Sequence, residues 1–341
     1  MASKKKVLII RFSSIGDIVL TTPVVRCLGK VPGKDIEVHY VTKKDFLGVL
    51  NSNPYIHKVY VLDGSLFCLI RLLRKEQFDY IIDLHHNIRS AIIKLSLGRP
   101  SSAFRKLNPE KWFLTRLKIN RLPDVHIVDR YLEAAKSLDV KNDGEGLDYF
   151  LPEDARVAPE ALPSAFGNGF MTFVIGGKHA TKRLPNEKII SICRKLNVPV
   201  ILLGGKDDAP NGAAIASACT PLVFNACGMF PLNQSAYLVK KSRVVITHDT
   251  GLMHVAAAFN KPVISIWGNT IPEFGMYPYM PQNQDNSHIV QVKGLSCRPC
   301  SKIGYNRCPQ KHFDCMMKID EDRIVNTALQ IMQHTSLEKE V

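Results

Sequence analysis

The most informative segment for the fold is Val7-Leu8-Ile9-Ile10-Arg11-Phe12-Ser13-Ser14-Ile15-Gly16-Asp17, close to the start of the chain. Four consecutive apolar residues followed by a polar turn are typical of a buried strand in a parallel sheet. A helical pattern over residues 17–28 follows this turn. The turn is therefore expected at the carboxyl end of the strand, where open α/β sheets bind their ligands.

The same alternation of strand and helix runs through both halves of the chain. Further strands are predicted at residues 36–41, 58–62, 80–84, 171–175, 198–203, 244–247 and 263–267. Helices are predicted at residues 66–76, 88–97, 128–138, 186–196, 213–218, 233–240, 251–259 and 320–332. This pattern predicts an α/β fold with two Rossmann-like, doubly wound domains facing a central cleft.

The domain limits follow from a change of composition in the middle. Residues 139–169 are rich in acidic residues, proline and glycine and predict a linker. We therefore expect a first domain at residues 1–150, a second at 165–319, and a C-terminal helix within 320–341 that can pack back on the first domain.

Composition and length exclude several classes of protein. The chain has 341 residues, of which 45% are apolar and 22% charged, so it is neither disordered, fibrous nor a small disulfide scaffold. Its longest uncharged stretch, residues 209–239, contains Pro210, Pro221 and Pro231 and is not expected to span a membrane as one helix. The basic N-terminus lacks the apolar core of a secretory signal, which predicts a cytoplasmic protein.

An excess of basic residues predicts an anionic partner. Lys and Arg number 45 against 31 Asp and Glu, a net charge of +14. Residues 89–121 hold nine basic residues and one acidic one, with Trp112 and Phe113 interleaved. This segment, which includes Arg89, Arg105 and Lys106, is a solvated basic surface, a nucleic-acid site, or a site for an anionic substrate or membrane.

The turn after the first strand offers a carboxylate and two hydroxyls. Asp17 could accept a proton from a substrate hydroxyl, with Ser13, Ser14 and the tight turn at Gly16 beside it. Equally, Asp17 could simply cap the helix, which would lower its pKa.

Two later turns have the composition of a phosphate site. Gly176-Gly177-Lys178-His179-Ala180-Thr181-Lys182-Arg183 follows a strand, and its glycines, cations and Thr181 suit a diphosphate. In Thr247-His248-Asp249-Thr250-Gly251, the amides of Thr250 and Gly251 would lie at a helix N-terminus, and Asp249 could bind sugar hydroxyls or merely cap the helix. No G-x-G-x-x-G or Walker A motif occurs, which argues against a nicotinamide dehydrogenase or a P-loop ATPase.

Four cysteines are clustered near the C-terminus, at Cys297, Cys300, Cys308 and Cys315. Their spacing allows a structural zinc site, reduced structural thiols or reversible disulfides, because the second pair departs from the C-x2-C pattern. The sequence does not choose among these three.

The three turns in this order resemble those of glycosyltransferase family nine, the heptosyltransferases of lipopolysaccharide synthesis. Ser-Ser-Ile-Gly-Asp at residues 13–17, Thr-Lys-Arg-Leu-Pro at 181–185 and His-Asp-Thr-Gly-Leu-Met-His at 248–254 carry the resemblance, which covers nearly the whole chain. It implies a GT-B fold, with the acceptor on the first domain and an ADP-sugar on the second. It also implies inverting transfer of heptose, or a related sugar, to an inner-core acceptor.

The resemblance also assigns roles to residues. Asp17 matches the general base and Lys182 the diphosphate-binding lysine. Donor-binding positions would be Lys178, Thr181, Lys182, Asp208, Asp249, Thr250 and Gly251. Acceptor-binding positions would be Ser13, Ser14, Gly16, Arg89, Arg105 and Lys106. No metal or other cofactor is expected to be required, because a fixed cation can replace the metal at the leaving diphosphate.

The predicted protein is thus a cytoplasmic, metal-independent glycosyltransferase, peripheral on the inner membrane of a Gram-negative bacterium, with no nucleic-acid partner. Two alternatives stand beside it. A nucleotide-sugar epimerase of the same architecture would need a donor but no acceptor. A non-enzymatic, basic nucleic-acid-binding protein would tolerate substitution of Asp17, Lys182 and Asp249 and show steep salt dependence.

Overall fold

The structure, a computed structural model, describes residues 4–337. The chain divides into two compact units. The first comprises the chain up to Leu107 together with Val125–Pro152, and the second comprises Asn108–Asp124 and the chain from Glu153 onward. The segment Asn108–Asp124, which was expected within the first domain, thus belongs to the second unit. Its Leu114 and Leu122 pack there against Ile271 and Phe274.

The first unit is built on a five-stranded sheet in the order β3-β2-β1-β4-β5, with all neighbours parallel. The strands are β1 (Lys5–Ile10), β2 (Ile36–Lys43), β3 (Lys58–Leu62), β4 (Tyr80–Asp83) and β5 (Ser101–Ala103). Strand β1 is central, and its Val7-Leu8-Ile9-Ile10 run is fully buried. The order of strands reverses between β1 and β4, so the loops after these two strands lie at the switch point where such sheets bind ligands.

Helices connect the strands in both units. Up to residue 133 they are α1 (Ile15–Val19), α2 (Thr22–Gly29), α3 (Leu66–Lys75), α4 (Ile88–Leu97), α5 (Asn108–Trp112, in the second unit) and α6 (Ile127–Glu133). The single helix predicted over residues 17–28 is therefore two helices. The Thr21 hydroxyl donates to the carbonyl of Ile18 at 2.7 Å and the Thr22 hydroxyl to that of Val19 at 2.7 Å, at the junction of the two helices.

The second unit has a six-stranded sheet in the order β11-β10-β9-β6-β7-β8, again with all neighbours parallel. Its strands are β6 (Met171–Val174), β7 (Val200–Leu203), β8 (Val223–Asn225), β9 (Val245–His248), β10 (Val263–Trp267) and β11 (Ser287–Gln291). The switch point of this sheet lies between β6 and β9. The two phosphate-type turns of the sequence follow these two strands.

The helices of the second unit's larger segment are α7 (Asn186–Leu196), α8 (Ala209–Ala218), α9 (Leu232–Lys241), α10 (Gly251–Ala258), α11 (Asp314–Met317) and α12 (Glu321–Leu337). Helix α12 packs on α7, where Lys188 donates to Glu321 at 2.8 Å and Ile324 is fully buried. Helix α12 therefore packs within the second unit. The sequence had allowed this helix to pack on the first domain. Within residues 4–337, no helix is both long and apolar enough to cross a bilayer.

The segment predicted as a linker is partly fixed to the first unit. Arg26 is 3% exposed, and its guanidinium forms ion pairs with Asp143 and Asp148. The carbonyl of Gly146 also accepts a hydrogen bond from Arg26 at 2.9 Å. Residues up to Pro152 thus form part of the first unit's fold, and the change of unit falls at Glu153.

Candidate active site

The Asp17 carboxylate lies in the first turn of α1, directly after the loop that leaves the central strand β1. Its Oδ2 accepts hydrogen bonds from the Ser14 amide at 3.2 Å and the Ser14 hydroxyl at 2.9 Å. Its Oδ1 forms an ion pair with the Arg11 guanidinium at 2.7 Å, and the side chain remains 21% exposed. Asp17 therefore has the capping contacts that the sequence allowed and is also held in one orientation with access to solvent.

The charge of Asp17 is set by these neighbours. Burial alone would raise its pKa, but the Arg11 guanidinium and the two Ser14 hydrogen bonds outweigh burial and hold the pKa below its ordinary value. The carboxylate is consequently ionised at neutral pH. It can accept a proton that a reacting hydroxyl releases, but it is a weaker base than an isolated carboxylate.

Arg11, to which the sequence assigned no role, ties the switch point of the first sheet together. Its Nε donates to the carbonyl of Ser13 at 2.7 Å, and its Nη1 donates to the carbonyl of Leu84, just after β4, at 2.6 Å. The remaining nitrogen of the fork binds Asp17. Arg11 is 8% exposed, so it acts as a buried support for the carboxylate and not as a substrate ligand.

The loop after β4 brings a histidine that sequence reasoning missed. The His85 ring packs edge-on against Phe12, with ring centroids 4.9 Å apart. Burial, together with the charges of Arg11 and Lys106, lowers the pKa of His85 to about 4, so its imidazole is neutral. The signal in the sequence was the polar run Asp83-Leu84-His85-His86-Asn87 after a buried strand adjacent to β1.

A basic pocket opens at the carboxyl edge of the first sheet. It has a volume of about 310 Å³, and Lys43, Lys44 and Arg89 line it together with Asp45 and Asp63. The amide of Lys43 donates to the carbonyl of Phe12 at 3.2 Å, so this pocket adjoins the Asp17 loop. Arg89 was expected to bind the acceptor, whereas Lys43, the last residue of β2, and Lys44, which follows it, went unrecognised because they belong to no motif.

The other expected acceptor residues are distributed around this loop. Ser13 contributes its carbonyl to Arg11, Ser14 is exposed, and Gly16 is buried at the start of α1. Lys106 lies within electrostatic reach of His85, and Arg105 is exposed. The basic stretch 89–121 is nevertheless divided, since the part from Asn108 onward belongs to the second unit.

In the second unit, an ion pair joins the two turns beyond β6 and β9. The Lys182 ammonium lies 2.5 Å from Asp249 Oδ2, and the Thr270 hydroxyl donates to the same oxygen at 3.0 Å. The side chains of Lys182 and Asp249 are 17% and 13% exposed. The structure thus brings together two residues that the sequence could only name separately.

The N-terminus of α10 adds free amides to this cation. Thr250 is the N-cap residue and makes no side-chain capping hydrogen bond, while Gly251 opens the helix. The first amides of a helix have no partner within it and favour a negatively charged group. Lys182, Thr250 and Gly251 thus lie in two turns that meet through Asp249, where an anion would be stabilised.

A buried histidine fixes the loop that carries Lys182. His248 accepts a hydrogen bond from the amide of Leu184 through Nε2 at 2.9 Å. It is fully buried, and burial lowers its pKa to about 4, so it remains a neutral acceptor. His248 belongs to the motif recognised in the sequence, but its function was not predicted. It positions the Lys182 loop on β9.

Two expected donor ligands are used by the fold itself. Thr181 is 2% exposed, and its hydroxyl donates to the carbonyl of Tyr305 at 3.0 Å and accepts from the amide of Tyr305 at 2.8 Å. Asp208 is 8% exposed; Arg183 and the amide of Gly205 occupy its two oxygens at 3.2 and 2.9 Å. Both residues therefore brace the site. Lys178, in contrast, is exposed in the same loop.

Glycines allow this close packing around Asp208. A Cβ added to Gly176 would lie 2.5 Å from Asp208 Oδ2, and one added to Gly204 would lie 2.8 Å from Asp208 Cβ. No side chain fits at either position without displacing the carboxylate. Both glycines therefore make room for Asp208, which braces the loop. For Gly176, the sequence had instead predicted close approach of a phosphate.

The cysteine cluster lies in a segment that supports the Lys182 loop. All four thiols are free, and Cys300 Sγ contacts the carbonyl of Cys297 at 3.1 Å. Burial raises the pKa of Cys300 to about 11 and that of Cys315 to about 12. Among the described residues, no three of these thiols come within 4.8 Å of one another. The described residues therefore do not bring these thiols together as a set of zinc ligands.

The comparisons with known proteins agree with this architecture. The family model described as glycosyltransferase family 9 (heptosyltransferase) matches residues 66–307. Lipopolysaccharide heptosyltransferase 1 of Campylobacter coli is 25% identical over 78% of this chain and 84% of its own length. Lipooligosaccharide heptosyltransferase 2 of Haemophilus influenzae is 27% identical over 70% of this chain and 72% of its own length.

Solved structures show the same fold. The E. coli ADP-heptose LPS heptosyltransferase II superposes with a TM-score of 0.72 at 20% identity, covering 98% of this chain and 100% of the other. The family 9 glycosyltransferase of Veillonella parvula superposes with a TM-score of 0.77 at 22% identity, covering 98% of this chain and 99% of the other.

Two Rossmann-like units, each with charged loops at the switch point of its sheet, and the likeness to these solved structures show the GT-B fold. The chain belongs to glycosyltransferase family 9, the heptosyltransferase family. The expected fold class and enzyme class are thereby confirmed. Membership of this family argues against the two alternatives, the epimerase and the non-enzymatic nucleic-acid-binding protein.

Proposed function

We propose that this enzyme transfers heptose, or a related sugar, from an ADP-sugar to an inner-core lipopolysaccharide acceptor. The observation that carries the proposal is the Lys182–Asp249 pair beside the N-terminus of α10, at the switch point of the second sheet. The names of the relatives, which are lipopolysaccharide or lipooligosaccharide heptosyltransferases, support the choice of sugar and acceptor.

On the donor side, Lys182 and the amides of Thr250 and Gly251 would hold the diphosphate. Negative charge increases on this group as the sugar–oxygen bond breaks, so a fixed cation and a helix N-terminus stabilise the transition state more than the ground state. Asp249 orients the Lys182 ammonium in the structure and would bind a sugar hydroxyl when the donor is present. Lys178 is available to the outer phosphate oxygens, while Thr181 and Asp208 hold the loops in place.

On the acceptor side, Asp17 would take the proton of the attacking hydroxyl. The oxygen attacks the anomeric carbon from the face opposite the diphosphate, the bond from that carbon to the diphosphate breaks, and the configuration is inverted. Lys43, Lys44 and Arg89, together with Asp45 and Asp63, line a pocket beyond β2 and β3 whose three cations would meet a phosphorylated or carboxylated acceptor. A divalent metal is not needed at the leaving group, because Lys182 supplies the positive charge.

The test is transfer by the purified protein from a panel of ADP-, UDP- and GDP-sugars to heptose-free lipopolysaccharide. We expect acceptor-dependent release of ADP from ADP-heptose, an inverted anomeric product by NMR, and full activity in excess EDTA. Release of ADP that does not depend on the acceptor, or preference for a UDP-sugar, would contradict the proposal. Turnover lost in EDTA and restored by magnesium would contradict its metal-independent step.

We further propose that α4 attaches the first unit to the anionic membrane that carries the acceptor. Ile88, Ile92 and Leu95 are 81%, 41% and 83% exposed and lie on one face of the helix at i, i+4 and i+7. Arg89 lies on the same helix, whereas Lys94 pairs with the buried carboxylate of Asp83 at 3.2 Å. An exposed apolar stripe beside a cation is the composition of a helix that lies in a membrane interface.

Replacing both Ile88 and Leu95 by serine is expected to weaken binding to phosphatidylglycerol vesicles about tenfold, because two apolar side chains no longer enter the interface. Vesicle co-sedimentation measures this. Kinetics with a short, detergent-free acceptor should not change. Met229→Ser, which alters a 55% exposed apolar residue of the second unit, is the matched control. Equal vesicle binding by the double variant and Met229→Ser would exclude α4 as the contact.

A further inference from the structure

The first unit holds a cluster of metal-ligating side chains away from the loops described above. Among the described residues, one set of three such side chains places its ligand atoms within 4.8 Å of one another: Glu37, His39 and His57. Glu37 and His39 lie at the start of β2, and His57 comes just before β3. The cluster is therefore at the amino edge of the sheet, whereas Asp17 follows its carboxyl edge.

The central ligand is a buried imidazole with an unused nitrogen. His39 is 1% exposed, and among the described residues its Nε2 has no hydrogen-bond partner. The nearby Glu37 Oε2 lies 3.5 Å away, too far for a good hydrogen bond. A buried polar atom left without a partner is costly, and a bound cation would remove that cost.

The distances suit a small first-row cation. Tetrahedral ligands at about 2.1 Å from a zinc ion lie roughly 3.4 Å from one another. The 3.5 Å between His39 Nε2 and Glu37 Oε2 already matches that edge. The amide of His57 donates to the carbonyl of Val38 at 2.8 Å, which holds its backbone beside β2, and its exposed ring packs edge-on against the His39 ring with centroids 5.1 Å apart.

A second layer of contacts would orient the buried ligand. The Nδ1 of His39 lies 3.3 Å from the Tyr60 hydroxyl, which in turn hydrogen-bonds Glu76. With Nε2 bound to a metal, Nδ1 carries the proton and donates it to the hydroxyl oxygen. Metal-binding histidines commonly have such a partner on the other ring nitrogen.

We propose that Glu37, His39 and His57 form a structural binding site for a divalent first-row cation, with Zn²⁺ as the ion that best fits two imidazoles and one carboxylate. Water completes the coordination at the exposed His57 side. The bound ion joins the start of β2 to the residue before β3 and stabilises the first unit. The proposal is independent of the transferase reaction, because the cluster is at the opposite edge of the sheet from Asp17.

The experiment is calorimetric titration of metal-free, tag-free protein with ZnCl2, with Glu37→Gln and His57→Ala as variants. Both side chains are partly exposed, so the variants should fold. Each is expected to lose one equivalent of zinc or to weaken its binding at least tenfold. Excess zinc should raise the Tm of the wild type by about 5 °C and that of the variants by much less. Magnesium should do neither.

Two controls separate this site from other zinc ligands. Glu145→Gln and His86→Ala remove a comparable exposed carboxylate and imidazole of the first unit and should bind zinc as the wild type does. Cobalt can replace zinc as a spectroscopic probe. The one equivalent of cobalt that His57→Ala no longer binds should show no sulfur-to-metal charge-transfer band in the wild type. Its absence would exclude the cysteine cluster as the source of the ligands. Unchanged stoichiometry and affinity in both site variants, or a thiolate band at that equivalent, would overturn the proposal.

Discussion

Lys182→Gln is expected to lower kcat about 10³-fold, with a smaller rise, of about tenfold, in the KM for the ADP-sugar. Glutamine retains much of the volume and can still contact Asp249, so the loop should keep its shape. It lacks the positive charge that meets the diphosphate as the sugar departs. Removing one preorganised group that stabilises developing charge typically lowers kcat by 10²–10³. Because Lys182 carries a full charge beside the leaving diphosphate, we expect a loss at the upper end of this range.

The measurement is steady-state kinetics with a saturating acceptor, together with ADP binding by calorimetry. Lys293→Gln, an exposed lysine of the same unit, is the matched control and should behave as the wild type. Asp249→Asn tests the pair from its other side, because it leaves the Lys182 ammonium without its charged partner. We expect this variant to lower kcat about tenfold. If Lys182→Gln changed only KM, the lysine would bind ground and transition states equally, and its proposed role at the leaving group would be wrong.

The central parts of both sheets could be predicted from sequence because their strands are continuous apolar runs. Strands β1, β4, β6, β7, β9 and β10 are almost entirely buried, and burial on both faces produces exactly such runs of Val, Ile and Leu. The edge strands β5, β8 and β11 were missed. They have three, three and five residues and carry polar side chains, since one side of an edge strand lacks a neighbour.

The candidate site was predictable where a motif lies in one loop and unpredictable where several loops meet. Asp17, Lys182 and Asp249 each follow a buried strand, which the sequence shows directly. Their partners come from far along the chain. Tyr305 occupies the hydroxyl of Thr181, and the carbonyl of Leu84 binds Arg11, which supports Asp17. Local spacing contains no information on such contacts.

Asp17→Asn is expected to reduce kcat about 10³-fold without weakening donor binding. Asparagine keeps the shape and one acceptor oxygen for Ser14, so the turn into α1 should persist, but it cannot take the acceptor's proton. Some loss of Tm is expected too, because the buried Arg11 guanidinium loses its counter-charge. Kinetics of transfer and calorimetry with ADP measure the two effects separately. Asp154→Asn, an exposed aspartate, is the control.

The pH dependence separates catalysis by Asp17 from a merely structural role. Since Arg11 and Ser14 hold the pKa of Asp17 below 3.8, the wild-type carboxylate stays ionised down to that pH, and its contributions to activity and stability are lost only as the pH falls further. In Arg11→Met the guanidinium is gone while burial remains, so the pKa should rise and the acid limb of kcat/KM should move upward by at least one pH unit. Arg11→Lys should restore much of the shift. An acid limb that stays in place in Arg11→Met, in a variant that still folds by circular dichroism, would mean that Asp17 is a helix cap and that another group takes the proton.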